Sequence, residues 1–156
     1  MSPRSLPSDK PHLPPPVFFV GALAVMAGLH AVLPLGRWLD WPWTLSGPAV
    51  IACGLGVGLA GARRFRRHAT AVRPFEPASV LVTDGIFRYS RSPMYGGMVL
   101  MLLGAGLLLG TLAPLAVVPP FFLLLERRFV LREEALLEAA FGASYRTYRG
   151  RVRRWI

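Results

Sequence analysis

The chain has 156 residues, a length that predicts one domain, and 53% of them are hydrophobic with a positive mean hydropathy, which is high for a water-soluble globular protein. Lysine and arginine outnumber aspartate and glutamate by 18 to 8, for a formal net charge of +10. The single cysteine, Cys53, lies in an apolar stretch, so the composition excludes a disulfide framework and we expect no metal site.

The first 16 residues are rich in proline and poor in large apolar side chains. No short apolar core with a small-residue cleavage site follows them, so residues 1–16 are predicted to be a disordered cytosolic tail rather than a cleavable signal peptide.

Apolar segments long enough to cross a membrane follow this tail. The first has about 20 residues, or roughly 30 Å of helix, the thickness of the hydrocarbon core. The stretch 94–125 is too long for one helix, and Gly110, Thr111 and Pro114 within it favour a turn. We therefore predict an all-α integral membrane protein with about four transmembrane helices, the last two forming a hairpin, at residues 17–36, 45–62, 94–110 and 112–125. The last helix is expected to continue beyond Glu126.

The positive charges lie on one side of these spans. Seven arginines fall in residues 63–93 and eight in residues 126–156, whereas the loop between the first two spans holds only Arg37. The positive-inside rule then places both termini and these two basic segments in the cytoplasm. Membrane topology explains the basic excess, and we expect no nucleic-acid partner.

The segment IFRYSRSPMYGGMVL, residues 86–100, places polar groups at the mouth of the third span. It follows a short β-like run, VLVTDG, that ends in a turn at Asp84 and Gly85. Pro93 suits the first turn of a helix, where its missing N–H costs nothing. Such a helix start attracts anions, and Arg91 adds a fork suited to a carboxylate or phosphate. An anion pocket and an arginine that extends to the lipid headgroups are both consistent with this pattern.

The segment after the fourth span is predicted to form an amphipathic helix that ends at Gly142. At about 100° per residue, Glu133 lies in the middle of the apolar face, and Glu126 falls on that face one heptad earlier. The apolar residues of this face are Phe129, Leu136, Leu137 and Ala140.

Glu134 and Glu138 point away from this face and are expected to be ordinary solvated charges. A carboxylate on an apolar stripe is costly unless it meets a cation or a ligand. Glu133 is therefore the candidate site residue. The alternative is a structural ion pair between Glu133 and an arginine of the 63–93 loop.

The stretch VLVTDGIFRYSRSPMYGG, followed by REEALLEAAFGASYRTYRGRV, resembles integral-membrane methyltransferases related to isoprenylcysteine carboxyl methyltransferase and to phospholipid N-methyltransferases. Their signature is Gly-x-aromatic, then Arg-His-Pro-x-Tyr, then a Glu-Glu helix that ends in Phe-Gly with tyrosines after it. The resemblance covers residues 79–155, about half of the chain. Each motif is short, and it is their order, with a helical hairpin between them, that is specific.

The resemblance implies that the two motifs close over S-adenosylmethionine at the cytosolic face, while a lipophilic acceptor enters from the bilayer and membrane lipids surround the protein. It implies a pocket formed by the elements 63–93 and 126–156. Catalytic roles are expected for Arg91, Tyr95 and Glu133. The cofactor-binding residues implied are Leu81, Val82, Phe87, Arg91, Ser92, Pro93, Tyr95 and Glu133.

One position departs from the family pattern, because Ser92 stands where histidine is usual. A hydroxyl can hydrogen-bond the cofactor but does not accept a proton near neutral pH, so the protein either does without a base or uses an acceptor that needs none. Arg128 and Arg132, on the flank of the helix that carries Glu133, are candidates for binding an anionic acceptor.

Two other functions remain open: an NADPH-dependent membrane reductase of the sterol-reductase type, and a non-catalytic membrane subunit. The preference for arginine over lysine indicates a GC-rich bacterial genome and hence a bacterial inner membrane. The acceptor, whether a prenylated cysteine, a phospholipid amine, a thiol or another compound, is left open by the sequence.

Overall fold

The computed structural model describes residues 13–33, 36–67 and 80–155. Residues 1–12 of the predicted tail, residues 34–35 of the predicted first span, residues 68–79 of the predicted cytosolic loop, and Ile156 lie outside the described residues. The described helices are α1 (Pro15–Val32), α2 (Ser46–Arg67), α3 (Pro93–Leu109), α4 (Leu112–Leu115), α5 (Val118–Leu125) and α6 (Leu131–Arg151). Two 3₁₀ turns cover Trp43–Leu45 and Gly85–Arg88, and a π-helical turn covers Glu126–Val130.

The predicted all-helical architecture is confirmed for the described residues, which contain no β-strand. The β-like run before Asp84 is therefore not a strand where it is described. Its apolar side chains instead precede the 3₁₀ turn that begins at Gly85, where a φ of +60° favours glycine.

The number of spans is confirmed only in part. Two helical stretches, Pro15–Val32 and Trp43–Arg67, are long and apolar enough to cross a membrane. The third apolar helix, α3, has 17 residues. The predicted fourth span is divided at Ala116 and Val117 into α4 and α5, because two prolines at the start of α5 cannot donate the hydrogen bonds that would continue one helix.

The predicted hairpin turn lies where glycine was expected. Gly110 ends α3 with a left-handed φ of +69°, and Thr111 precedes α4. Gly110 O accepts the N–H groups of Trp38 and Leu39, and the Nδ1 of His30 lies 2.9 Å from the Thr111 hydroxyl. Backbone and side-chain hydrogen bonds thus tie α1 and the α1–α2 loop to the turn of the hairpin.

Helices α2 and α3 pack closely because glycines face each other along the contact. A Cβ atom at Gly54 would lie 2.6 Å from Gly97 O, and one at Gly47 would lie 2.6 Å from Gly104 O. Small residues at this spacing let helix backbones approach in lipid. On the other side of α3, a core of aromatic and aliphatic side chains joins it to α1, α5 and the π turn.

The predicted continuation of the last span beyond Glu126 is confirmed, since α5 runs through the π turn into α6. The predicted helix end at Gly142 is a break rather than a stop. Gly142 has φ +52° and ψ −119°, which kinks α6, and a second helical stretch then continues to Arg151.

Candidate active site

The polar motif at the start of α3 meets the glutamate pair of α6. The Tyr95 hydroxyl, on the first turn of α3, donates a 2.6 Å hydrogen bond to Glu133 Oε1. Tyr95 is 4% exposed and its ring also packs against Phe129 of the π turn, with 6.1 Å between ring centroids. The hairpin between the two motifs therefore brings two of the sequence-predicted site residues into direct contact.

The Glu133 carboxyl lies in an environment that disfavours its charge. The residue keeps some exposure, but its carboxyl is enclosed by protein, and this burial raises its pKa to about 7. The hydrogen bond from Tyr95 acts in the opposite direction, because it favours the ionised form. Glu133 thus has the character expected of a functional carboxyl rather than of a solvated one.

Glu134 corrects a prediction, because it is buried and paired rather than solvated. Its residue exposure is 8%. Arg91 Nη1 lies 2.7 Å from Glu134 Oε1, and Arg154 binds both oxygens through Nε at 3.0 Å and Nη2 at 2.8 Å. The ion pair with an arginine of the loop, which the sequence suggested for Glu133, is therefore made by its neighbour.

The π turn explains why a constant rotation of about 100° per residue predicted the wrong face for Glu134. An i→i+5 turn holds one residue more than an α-helical turn, so the helix after it lags by about 100° relative to a regular helix. Glu126 consequently aligns with Glu134, eight residues on, and both accept from Arg154. For the same reason Leu136 and Ala140 of the predicted buried face are exposed. Glu138 is on the surface as predicted, 3.2 Å from Arg149.

The segment from Phe87 to Arg91 is held by the C-terminal part of α6 and the residues after it. The buried Tyr148 hydroxyl donates to Phe87 O at 2.7 Å, and burial raises the pKa of this phenol, so it remains a donor at neutral pH. The Ser90 hydroxyl donates to Arg154 O at 3.2 Å. The Arg91 N–H donates to Arg153 O at 3.1 Å, which fixes the backbone that carries the arginine.

The guanidinium of Arg91 lies inside the protein. Its side chain is 9% exposed, and besides Glu134 it donates to the Tyr145 hydroxyl at 3.2 Å. Its Nε is buried and has no hydrogen-bond partner among the described residues. Arg91 therefore retains a donor that a bound anionic group could use.

The turn before this segment is fixed to α2. Arg64 forms a 2.7 Å ion pair with Asp84, and Phe65 packs against Phe87 with 5.1 Å between ring centroids. A Cβ atom at Gly85 would lie 2.5 Å from the Arg64 guanidinium and would displace this flexible side chain, while the positive φ favours glycine. Phe87 itself is 4% exposed.

The other predicted cofactor residues lie at the same end of the fold. Val82 is buried, and Leu81 is partly exposed. Ser92 is 8% exposed and precedes α3 without capping it through its side chain, while Pro93 begins the helix as predicted.

The two arginines predicted to bind the acceptor are exposed. The Arg128 guanidinium lies over the ring of Phe18 on α1, 5.9 Å from its centroid. Arg132 lies on α6 next to Glu133.

Four polar residues that bind the Phe87–Arg91 segment or each other were not predicted as site residues from the sequence: Glu134, Tyr145, Tyr148 and Arg154. The two tyrosines are three residues apart, the spacing that puts side chains on one helical face, and this signal could have indicated a shared task. The burial of Glu134 could not be predicted because it depends on the π turn. Arg154 is one of several arginines near the C-terminal end of the sequence, and nothing in the pattern distinguishes it from the others.

Comparison with known families agrees with this geometry. The sequence profile of the phospholipid methyltransferase family matches residues 43–144, which include α2, the Arg91 segment, the hairpin, and Glu133 and Glu134 of α6. The chain belongs to the phospholipid methyltransferase family.

Individual relatives of this phospholipid methyltransferase family member point to the same group of proteins. Over 76 residues, 47% of the chain, it is 42% identical to protein-S-isoprenylcysteine O-methyltransferase of Schizosaccharomyces pombe. It is also 44% identical over 64 residues, 40% of the chain, to the full length of an uncharacterised protein of Haemophilus influenzae.

A solved structure shares the fold of this family member. The eukaryotic intramembrane Ras methyltransferase, isoprenylcysteine carboxyl methyltransferase, superimposes with a TM-score of 0.61 at 21% identity, over 95% of the present chain. The matched region spans 54% of that structure's chain and 31% of the fission yeast protein.

Proposed function

We propose that the protein transfers a methyl group from S-adenosylmethionine to a lipid or another lipophilic acceptor at the cytosolic face of a membrane. The observation that carries this proposal is the hydrogen bond from Tyr95 to Glu133. It joins the two motifs that the resemblance associates with the cofactor. Membership of a methyltransferase family supports the same reaction.

The residues present suit the chemistry of the cofactor. S-Adenosylmethionine carries a positive sulfonium, an ammonium, a carboxylate and a flat adenine. The Glu133 carboxyl suits the positive groups, and the unpartnered Nε of Arg91 suits the carboxylate. Apolar side chains suit the adenine. The residues proposed to hold the cofactor are Leu81, Val82, Phe87, Arg91, Ser92, Pro93, Tyr95 and Glu133.

The cofactor supplies a methyl group on a sulfonium, which is already a good leaving group. The protein then has to align the two reactants and exclude water, which contributes several kcal/mol. Arg91, Tyr95 and Glu133 have few alternative positions, because each is held by a hydrogen bond or ion pair within the network. This agrees with Ser92 in place of histidine, because an anionic acceptor needs no base.

The surface of the protein supports an acceptor that arrives from the bilayer. Large aliphatic side chains point outward from several helices, as expected for a surface solvated by hydrocarbon. They include Val20, Val25, Leu55, Leu59, Leu103, Leu108 and Leu123, each at least 36% exposed. Arg128 and Arg132 are placed near Glu133 along the sequence and are proposed to hold an anionic acceptor. We further propose a bacterial inner membrane, with both termini in the cytoplasm.

Binding measurements on the purified protein in detergent test the cofactor. Titration calorimetry with S-adenosylmethionine and S-adenosylhomocysteine is expected to show heat, and NADPH is expected to show none. Heat with NADPH alone would instead support the reductase, and no heat with any of the three would support a non-catalytic subunit.

Two alanine variants test the site itself. Glu133→Ala is expected to abolish the binding of S-adenosylhomocysteine, because it removes the carboxyl that faces Tyr95. Glu138→Ala, the matched control on the same helix, removes a surface carboxylate paired with Arg149 and is expected to leave the affinity unchanged. Equal losses in the two variants would contradict the assignment of Glu133.

The acceptor is identified by product analysis. Membranes that contain the protein are incubated with methyl-labelled S-adenosylmethionine, and the labelled product is separated as lipid, protein or small molecule. Membranes carrying Glu133→Ala serve as the blank. Label that appears only in water-soluble products would contradict a lipophilic acceptor.

A further inference from the structure

Arg154 lies between two carboxylates that belong to different helical elements. Its Nη1 is 2.7 Å from Glu126 Oε1 in the π turn, and its Nε and Nη2 bind both oxygens of Glu134 on α6. These hydrogen bonds raise the pKa of Arg154, so it stays charged. The residue thus fixes the orientation of the Glu134 carboxylate with a two-pronged contact, the geometry that holds carboxylates most firmly.

Glu134 is shared unequally between two guanidinium groups. Its Oε2 is bound by Arg154, while its Oε1 accepts from both Arg154 and Arg91. Arg91 therefore has one contact with a carboxylate oxygen that is already in use. A buried cation with only part of a carboxylate as partner keeps a demand for negative charge, and its unpartnered Nε shows where that demand is not met.

We infer that Arg154 is a positioning residue that keeps Arg91 available to the carboxylate of the bound cofactor, an inference that rests on the proposed function. Without Arg154, both oxygens of Glu134 are free to form a two-pronged pair with Arg91. That pair would neutralise Arg91 and draw its donors away from a ligand. The contact between Arg154 and Glu134 prevents this competition.

The backbone of the same segment is held independently of the Arg154 side chain. Arg153 O and Arg154 O accept from Arg91 N–H and the Ser90 hydroxyl. The indole of Trp155 packs against Phe122 on α5, with 4.6 Å between ring centroids. A substitution of the Arg154 side chain therefore leaves these anchors in place.

Two ligands that differ in the amino-acid part separate this role from a general structural one. S-Adenosylhomocysteine carries the α-carboxylate, and 5′-methylthioadenosine has the same nucleoside without it. In Arg154→Gln we expect the Kd of S-adenosylhomocysteine to rise about tenfold, the loss of about one charge-assisted hydrogen bond. The Kd of 5′-methylthioadenosine is expected to remain unchanged.

Two further variants complete the test. Arg149→Gln, which removes an exposed arginine paired with Glu138, is the matched control and is expected to bind both ligands as the wild type does. Arg154→Lys keeps the positive charge but loses the planar guanidinium, so we expect the Kd of S-adenosylhomocysteine to rise about threefold. If Arg154→Gln shows no thermal unfolding transition, Arg154→Lys provides the comparison.

The outcomes are distinct. A rise in the Kd of S-adenosylhomocysteine but not of 5′-methylthioadenosine, in Arg154→Gln or Arg154→Lys, supports the inference. If the Kd values of both ligands rise equally, or if neither rises, the inference is overturned and the proposed function remains intact. Failure of the wild-type protein to bind either ligand overturns the proposed function itself.

Discussion

Two neighbouring glutamates of α6 meet different partners, and this separates their tasks. Glu134 is bound by the guanidinium groups of Arg91 and Arg154, so its charge is used within the protein. Glu133 meets the neutral hydroxyl of Tyr95. Its negative charge, when present, is not neutralised by that partner, and it is therefore the carboxyl suited to a positively charged ligand.

Binding of the cofactor should depend on pH through Glu133. Because its pKa is about 7, its ionised fraction rises from about one tenth at pH 6 to about nine tenths at pH 8. We expect the affinity for S-adenosylhomocysteine to rise about tenfold over this range, measured by calorimetry. The control is Glu133→Gln, whose weak binding should lose this pH dependence. A wild-type affinity that is constant from pH 6 to 8 would contradict the prediction.

The same ionisation should affect stability in the opposite direction. The pKa of Glu133 in the folded protein lies above its ordinary value of 4.5, so folding favours the protonated form. Its stabilising contribution is complete below pH 4.5 and is lost as pH rises through about 7. The unliganded protein should therefore melt at a lower temperature at pH 8 than at pH 5, relative to Glu133→Gln measured in parallel.

At the scale of elements, α2 and α3 form the tightest helix pair, and their contact determines where Tyr95 lies. Gly54 and Gly97 face each other, with backbone atoms close to the position of a side chain. A Cβ atom at Gly61, one further heptad along α2, would lie 2.9 Å from Met94 Cγ and 3.3 Å from Pro93 Cγ at the start of α3. The same row of glycines that packs the helices therefore fixes the first turn of α3.

An alanine at Gly54 should separate the two helices. Its Cβ would lie 2.6 Å from Gly97 O, and we expect the unfolding free energy in detergent to fall by about 1–3 kcal/mol. Gly56→Ala is the matched control, because a Cβ there meets nothing within 4 Å and alanine favours helix. Thermal unfolding of both variants checks this. Equal melting temperatures would show that α2 and α3 do not pack through Gly54.

At the scale of the whole molecule, the site is built from segments on both sides of the hairpin, and all of them lie at one end of the bundle. The opposite end carries the exposed tryptophans Trp38, Trp41 and Trp43 and the turn at Gly110. Exposed tryptophans are typical of a membrane interface, and the arginine-rich elements lie with the site. This polarity supports an orientation with the site in the cytoplasm.

Chemical labelling tests this orientation. In a Cys53→Ala background, Asp40→Cys places a thiol at an exposed position between α1 and α2, and Ser144→Cys places one at an exposed position of α6. A membrane-impermeant maleimide is expected to label Asp40→Cys in intact bacterial cells and Ser144→Cys only after lysis. The reverse pattern would place the site outside the cell.

Much of this arrangement was predictable from sequence, because it depends on local chemistry. Apolar length predicted α1 and α2, Gly110 predicted the hairpin turn, and the apolar residues near Glu133 distinguished it from an ordinary solvated carboxylate. The division of the fourth span and the pairing of Glu134 were not predicted. Both depend on departures from regular helix, the first at the prolines of α5 and the second in the π turn. A prediction that assumes a constant rotation per residue does not include such departures.

The π turn also determines which deletions the candidate site tolerates. Arg127 within it is exposed, and its loss would allow the turn to tighten into ordinary α-helix. Glu134 would then stand seven residues after Glu126 and would still share its face. A deletion between Leu131 and Glu133 would instead rotate the carboxyl away from Tyr95. The π turn is thus the point in this helix where the chain can lose a residue while Glu126, Glu134 and the contact between Tyr95 and Glu133 keep their register.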